Sequence, residues 1–315
     1  MARELAVRTC GLTKQFDRHV AVNDVDLQIA TGEVYGLIGP NGAGKTTLIR
    51  MLATAEEPTK GEIYLHGDRL LLDQSHVTVK RRLGYLPDNF PLYDNLTVWD
   101  YLDYFARLYY LREPPRTQRL HEVLELVQLQ YKRKSLISTL SRGMKQRLSL
   151  ARTILHEPIL LLLDEPVSGL DPIARKQFRE IIKVLQEAGM TILISSHVLS
   201  DLAELCTSVG IMELGYLVES ARLEDLYRRL SHRQILLSTL GDLQDLQIQL
   251  NNHPLVKAWE VIAPKQVSVD FDGNEKDCAE LLRSLIQANI LLTSFQCTQE
   301  DLETIFLSLG HKQVS

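Results

Sequence analysis

The sequence predicts an α/β fold, with a mostly parallel core sheet, an inserted block of helices and a small α+β domain after it. Three observations carry this. Short apolar runs of strand character alternate with helical stretches over most of the chain, the pattern of strands laid parallel through helical crossovers. One such run passes directly into a glycine-rich turn and a helix, "VYGLIGPNGAGKTTLIRMLATA" at 34–55. Another, "ILLLLDEP" at 159–166, ends an unbroken apolar stretch in two carboxylates.

Taken in order, "LAVRTC" (5–10), "DVDLQIA" (24–30) and "VYGLIG" (34–39) read as strands, and the last has the continuous apolar pattern of a buried one. From about 97 to 156 the pattern is helical, with "VWDYLDYFARLYYL" and "RLHEVLELVQL" parted by Pro114-Pro115. Alternation resumes with "ILLLLDE", a helix over 173–188, "TILISS", a helix over 198–206 and "SVGIMEL". The helices are thus an insertion, about 88–158, in a first domain spanning 1–230. From 231 to 315 the order changes to β-α-β-β-α-β. Its strands are "RQILLSTL", "KAWEVIA" and "QVSVDFD", its helices "DLQDLQIQLN" and "EKDCAELLRSLIQAN", and "LLTSFQCT" and "DLETIFLSLG" close it. That order suggests a small two-layer domain.

Composition limits the function. The chain of 315 residues is 45% hydrophobic and 24% charged, ordinary globular values with length for two domains. A net charge of −5 lacks the basic footprint of a nucleic-acid binder. Cys10, Cys206, Cys278 and Cys297 show no C-x-x-C pair and no metal spacing, and read as buried or incidental thiols in a reducing compartment. "MARELAVRTCGL" is too charged for a signal peptide, and the apolar runs are too short to cross a bilayer. The expectation is a soluble chain whose membrane work, if it has any, relies on another chain.

Gly39-Pro40-Asn41-Gly42-Ala43-Gly44-Lys45-Thr46 fits G-x-x-x-x-G-K-[ST] in full, between strand and helix as the motif requires. Such a loop turns its N–H groups toward phosphate oxygens; Lys45 would neutralise the β/γ oxygens and Thr46 would offer a hydroxyl to Mg²⁺. Asp164, delivered to the carboxyl edge of the sheet, would hold Mg²⁺ through water, and Glu165 would polarise a water at the γ-phosphate. A second anion-attracting helix start lies at "LSRGMKQR" (140–147), where Ser141 and Gly143 precede Lys145 and Arg147. Together these predict a P-loop nucleoside triphosphatase, and the guanine-reading N-K-x-D is missing.

Over roughly residues 5–225 the set resembles the ATP-binding subunits of ABC transporters, with every motif in order. "YLPDNF" stands at the Q-loop, "LSRGMKQR" at the signature, "SGLD" (168–171) at the D-loop and "SSH" (195–197) at the His switch. The remainder resembles the C-terminal domain of ABC-2 type exporter ATPases, above all in "DLETIFLSL". The resemblance implies an antiparallel β subdomain beside the core sheet, ATP and Mg²⁺ as ligands, and adenine stacking on Phe16. It adds Thr47 to the phosphate loop, makes Glu165 the general base and sets His197 on the γ-phosphate. In the family two such domains close head to tail, so Ser141 and Gly143 would reach the ATP of a partner and Asp171 would couple the two sites. A homodimer or pseudo-symmetric heterodimer on separate permease subunits, at the cytoplasmic face of the cell membrane, is implied. Two departures stand out. Asp88 replaces the Gln that touches Mg²⁺, and Arg142 and Met144 replace Gly and Gln beside the retained Ser141 and Gly143. A non-transport ABC ATPase acting on ribosomes or DNA is the competing class; it would carry paired ATPase domains or long coiled-coil insertions. A regulatory ATPase without turnover is a third reading, opposed by Glu165 and His197. "KRK" (132–134) reads as a solvated turn, and Tyr101, Tyr104, Phe105, Tyr109 and Tyr110 as packing of the insertion, the region where the family docks its membrane partner.

Overall fold

The computed structural model describes residues 4–70, 77–197, 202, 204–230 and 233–299. The chain divides into two compact units, residues 1–223 and 224–315. The helix expected over 198–206 and the segment "DLETIFLSLG" fall largely or wholly outside the described residues.

The first unit opens with β1 (Leu5–Phe16), β2 (His19–Val25) and β3 (Gln28–Ala30), then β4 (Val34–Ile38) and α1 (Lys45–Leu52). β5 (Lys60–Leu65), β6 (Asp68–Arg69), the short α2 (Val77–Lys80) and β7 (Leu83–Leu86) follow. Three helices come next, α3 (Val98–Leu108), α4 (Pro115–Leu126) and α5 (Arg142–Ile154). β8 (Leu160–Leu163), α6 (Pro172–Glu187), β9 (Thr191–Ser196), β10 (Ser208–Glu213) and β11 (Tyr216–Arg222) complete it.

The core sheet runs β11-β10-β4-β9-β8-β7, parallel throughout except for the β10–β11 hairpin at its edge. All residues of β4, β8 and β9 are buried, as strands covered on both faces must be. An antiparallel sheet, β2-β1-β5-β6 with β3 also on β1, supplies the other wall of the core. Its Val7, Leu12, Val22, Val25, Ile29 and Ile63 share one apolar cluster with Leu48, Ile49 and Leu52 of α1 and Leu37 of β4. α1 is therefore clamped between two sheets, which fixes the loop that precedes it.

The inserted helices have local reasons for their limits. Thr97 caps α3 by accepting the Asp100 N–H, Pro115 starts α4, and Ser141 caps α5 by accepting the Met144 N–H. Tyr101 is buried, and Tyr93, Tyr101, Tyr104 and Phe105 meet ring to ring at centroid distances of 4.9–6.3 Å. Those aromatics pack the insertion.

Near the boundary lies α7 (Leu223–Leu230). The second unit then comprises β12 (Arg233–Thr239), α8 (Leu243–Asn252), β13 (Val256–Ala263), β14 (Gln266–Phe271), α9 (Glu275–Gln287) and β15 (Leu292–Gln299). Its antiparallel sheet is ordered β13-β14-β12-β15, the split βαβ arrangement. Ile235, Leu237, Val267, Val269 and Phe271 of the sheet pack on Leu246 and Leu250 of α8 and on Cys278, Leu281 and Leu285 of α9.

Candidate active site

Strand register assembles the site. Ile38 pairs with Ser196, Leu163 with Ile194, and Leu86 with Leu163. The carboxyl ends of β4, β9, β8 and β7 therefore share one edge, and the residues that follow them are the glycine-rich loop, His197, Asp164-Glu165 and Pro87-Asp88. β9 lies between β4 and β8, so the loop and the carboxylates flank a crevice at a point where the strand order switches.

A cavity of about 360 Å³ opens there, lined by Phe16, His19, Ala21, Asn41, Gly42, Ala43, Gly44, Lys45, Thr46, Thr47, Asp88 and Glu165. The loop is built for its place. Gly44 has a φ of 103°, and a Cβ on it would collide with the Ala21 carbonyl oxygen. As the N-cap residue of α1, Gly44 brings no capping side chain, so the N–H groups of Lys45, Thr46 and Thr47 begin a helix without side-chain acceptors. Those three residues border the cavity, an arrangement suited to phosphate oxygens.

Lys45 is only 6% exposed. Its Nζ donates to the carbonyls of Gly39 (2.7 Å) and Pro40 (3.2 Å) and lies 3.5 Å from Glu165 Oε1. Glu165 Oε2 is 2.7 Å from His197 Nδ1. The Glu165 backbone has a φ of 47°, costly for a residue with a Cβ, and its N–H donates to Ser195 Oγ at 2.9 Å. Ser195 Oγ in turn donates to Asp164 Oδ1 at 2.7 Å, and Thr46 gives Asp164 a further hydrogen bond. Asp164 is 1% exposed; burial pushes its carboxyl above the usual range, against these hydrogen bonds, and the charges of Glu165 and Asp88 push the same way. Burial and the neighbouring Asp164 also raise Tyr85, to about 12.

Sequence reasoning did not single out Ser195, whose hydroxyl joins the two carboxylate residues, nor His19 and Ala21 on the cavity wall. The signal for Ser195 was a polar residue inside the buried run "TILISS". Phe16 is 42% exposed on the wall, with Lys14 Nζ 4.7 Å from its ring centre.

Ser141, Gly143 and Asp171 are not among the residues lining this cavity. They are close to one another instead. Asp171 caps α6 through Oδ1, 2.9 Å from the Ala174 N–H, and a Cβ on Gly143 would sit 2.6 Å from the Ala174 Cβ. Arg142 Nη2 donates to the Ser168 carbonyl at 2.9 Å. The signature and the "SGLD" segment thus form one joined patch. Arg147 corrects the expectation of an anion-attracting cation: it is 5% exposed and donates through Nη1 to the Val127 carbonyl at 2.9 Å. Lys145 is paired with Asp94 at 2.9 Å.

The oxygen donors of Thr46, Asp164 and Asp88 fit Mg²⁺ in type and number, since this ion takes few protein ligands and completes its shell with phosphate and water. Among the described residues no group of three or more His, Cys, Asp or Glu side chains could hold a metal without such help. A larger cavity, about 460 Å³, lies on the helical insertion between Thr97, Trp99, Asp100, His121, Arg133 and Lys134. It lacks a phosphate loop, so chemistry and not volume selects the smaller one.

Known proteins share this fold. The family model for the ABC transporter matches residues 22–168. The bacitracin transport ATP-binding protein BcrA of Bacillus licheniformis is 34% identical over 304 residues, covering 96% of each chain. The linearmycin resistance ATP-binding protein LnrL of Bacillus subtilis (strain 168) is 30% identical, over 95% of this chain and 96% of its own. A solved structure of an ATP-binding subunit of an ABC transporter superposes with a TM-score of 0.64 at 32% identity, over 71% of this chain and 92% of that one. No helix among the described residues is long and apolar enough to cross a membrane. The chain belongs to the ABC transporter family, as an ATP-binding subunit and an ATPase.

Proposed function

We propose that the cavity at Gly39–Thr47 binds the triphosphate of ATP and that Glu165 is the base that activates the attacking water. The observation that carries this is the position of Glu165, with Oε1 3.5 Å from the phosphate-loop Lys45 and Oε2 2.7 Å from His197. Lys45 and the N–H groups of the first turn of α1 grip the β- and γ-phosphates, and Phe16 and His19 offer the rings for the base. Glu165 accepts the proton of a water whose oxygen attacks the γ-phosphorus as the bond to the β-phosphate oxygen breaks. His197 fixes the carboxylate and reaches the γ-phosphate. Thr46, Asp164 and Asp88 would hold Mg²⁺, which offsets phosphate charge when bound.

The site is completed by a second ATPase subunit, identical or closely similar. Ser141 and Gly143 lie away from their own chain's cavity, which supports a role on the partner's γ-phosphate; Asp171 lies beside them and links the two sites. A γ-phosphate held by both chains favours the closed dimer, and its hydrolysis releases it. The movement is passed to separate permease subunits at the cytoplasmic face of the membrane, and the direction is export. The transport and resistance names of the relatives support this and disfavour work on ribosomes or DNA.

Glu165→Gln tests the reading. ATP turnover should fall by at least about a hundredfold, while ATP and Mg²⁺ convert the variant to a stable dimer on gel filtration. A variant that binds ATP, stays monomeric and hydrolyses at the wild-type rate would overturn both the base and the sandwich.

A further inference from the structure

Two cysteines 19 residues apart in sequence meet in the second unit. Cys278 is buried on α9 among Leu281 and Leu285, while Cys297 is exposed on β15, opposite Ile235 of β12. Their Sγ atoms are 3.3 Å apart. A disulfide of about 2.05 Å would need them to close by roughly 1.3 Å, within side-chain adjustment. Arg233, on β12, places Nη1 3.9 Å from Cys297 Sγ and also reaches the Cys278 thiol. A cation beside two touching thiols, one open to solvent and one not, is the arrangement of an attacking and a resolving cysteine.

We propose that Cys297 and Cys278 form a redox-modification site: Cys297 is thiolated by a low-molecular-weight disulfide such as oxidised glutathione, and Cys278 resolves the adduct into an intramolecular Cys278–Cys297 disulfide. In the first step the Cys297 thiolate attacks one sulfur of glutathione disulfide. A mixed disulfide forms on Cys297, the glutathione S–S bond breaks and one glutathione thiolate leaves. In the second, Cys278 gives its proton to solvent and attacks Cys297 Sγ, and the second glutathione leaves as thiolate. Two protein thiols are oxidised, and one glutathione disulfide is reduced to two glutathione molecules. The order of attack follows from the surroundings. Burial, with the hydrogen bond to Cys297, pushes the Cys278 thiol up to about 11, so it does not compete for the first step. Once Cys297 carries the adduct, Cys278 is its immediate neighbour, and the Arg233 guanidinium steadies the thiolate that must form. Cys206 is buried, with its thiol also raised by burial, and Cys10 is partly exposed. The product ties α9 to β15 and is reversed by reduced glutathione.

The test uses the full chain, reduced and then exposed to oxidised glutathione, quenched in acid and read by intact mass and peptide mapping. Wild type should lose two hydrogens at this pair, yield a cross-linked Cys278–Cys297 peptide and retain no glutathionyl group on either. Cys278→Ser should stop at one glutathionyl group on Cys297, and Cys297→Ser should leave Cys278 unmodified. Wild-type protein that keeps the adduct on Cys297, or leaves both thiols free, overturns the proposal. So does a Cys297→Ser chain in which Cys278 is thiolated as fast as Cys297 is in wild type.

Discussion

Asp164 is held almost out of solvent, with burial working against its charge and Ser195 and Thr46 only partly offsetting it. A carboxyl whose folded value is raised contributes stability below the unfolded value, about 3.9, and loses it as pH rises through the folded value. At neutral pH, without nucleotide or Mg²⁺, the wild-type chain therefore carries a cost at this position. Asp164→Asn should unfold at a higher temperature than wild type at pH 7, with the gap narrowing toward pH 4, and should lose ATP turnover by at least about a hundredfold. A variant less stable than wild type at pH 7 would remove the electrostatic account. Asp88 bears on the same group, since its charge adds to the rise at Asp164. Asp88→Gln should keep ATP turnover within roughly tenfold, about 1.4 kcal/mol in the barrier; complete loss in a steady-state assay would show that the site depends on the acid. Lys45, Thr46, Asp164 and Glu165 were legible because each belongs to a contiguous pattern in a strand–turn context. Ser195 was not, because its role depends on β8 pairing with β9 so that Leu163 meets Ile194.

At the level of elements, two arginines join the inserted helices reciprocally. Arg147 of α5 donates to the carbonyls of Val127 (2.9 Å) and Gln128 (3.4 Å), just past α4. Arg119 of α4 donates to those of Ile154 (2.8 Å) and Leu155 (3.1 Å), at the end of α5. Each guanidinium donates to carbonyls at a helix end and meets the negative end of its dipole. Arg147→Gln should therefore lower unfolding free energy by about 2 kcal/mol, read from urea denaturation, while the phosphate loop keeps its affinity for ATP. An unchanged midpoint would mean that water replaces the cap at no cost. The sequence held a sign of this. Gly143, Arg147 and Ala151 recur every four residues and are all buried, so they share the inner face of α5. A basic residue close behind a helix start resembles an anion site until that periodicity is weighed. The same limit applies to the strands: "LAVRTC" marked only the first half of β1, because bulged pairing with β2 and β5 carries the strand on to Phe16.

Across the whole molecule, nucleotide chemistry and the second unit are separable in sequence and in core. Every residue of the phosphate-loop cavity, and Asp164, Ser195 and His197 with it, lies within residues 1–223. The apolar cluster that clamps α1 draws only on that unit, whereas β12, β14, α8 and α9 have a core of their own. Both cores follow from patterning: β4 and β8 are apolar and β9 is buried throughout because two layers cover them, while β12 and β14 alternate because their helices pack on one face of the sheet. That alternation is why the β-α-β-β-α-β order could be read from the chain, whereas β5, β6 and α2, short and mixed in polarity, could not. A chain ending at residue 230 should then fold and bind ATP with a Kd within about tenfold of the full chain, 1.4 kcal/mol or less, measured by isothermal titration calorimetry with Mg²⁺. Loss of binding with native-like circular dichroism would show that the second unit supports the phosphate loop. Retained binding would confine its influence to steps after ATP is bound.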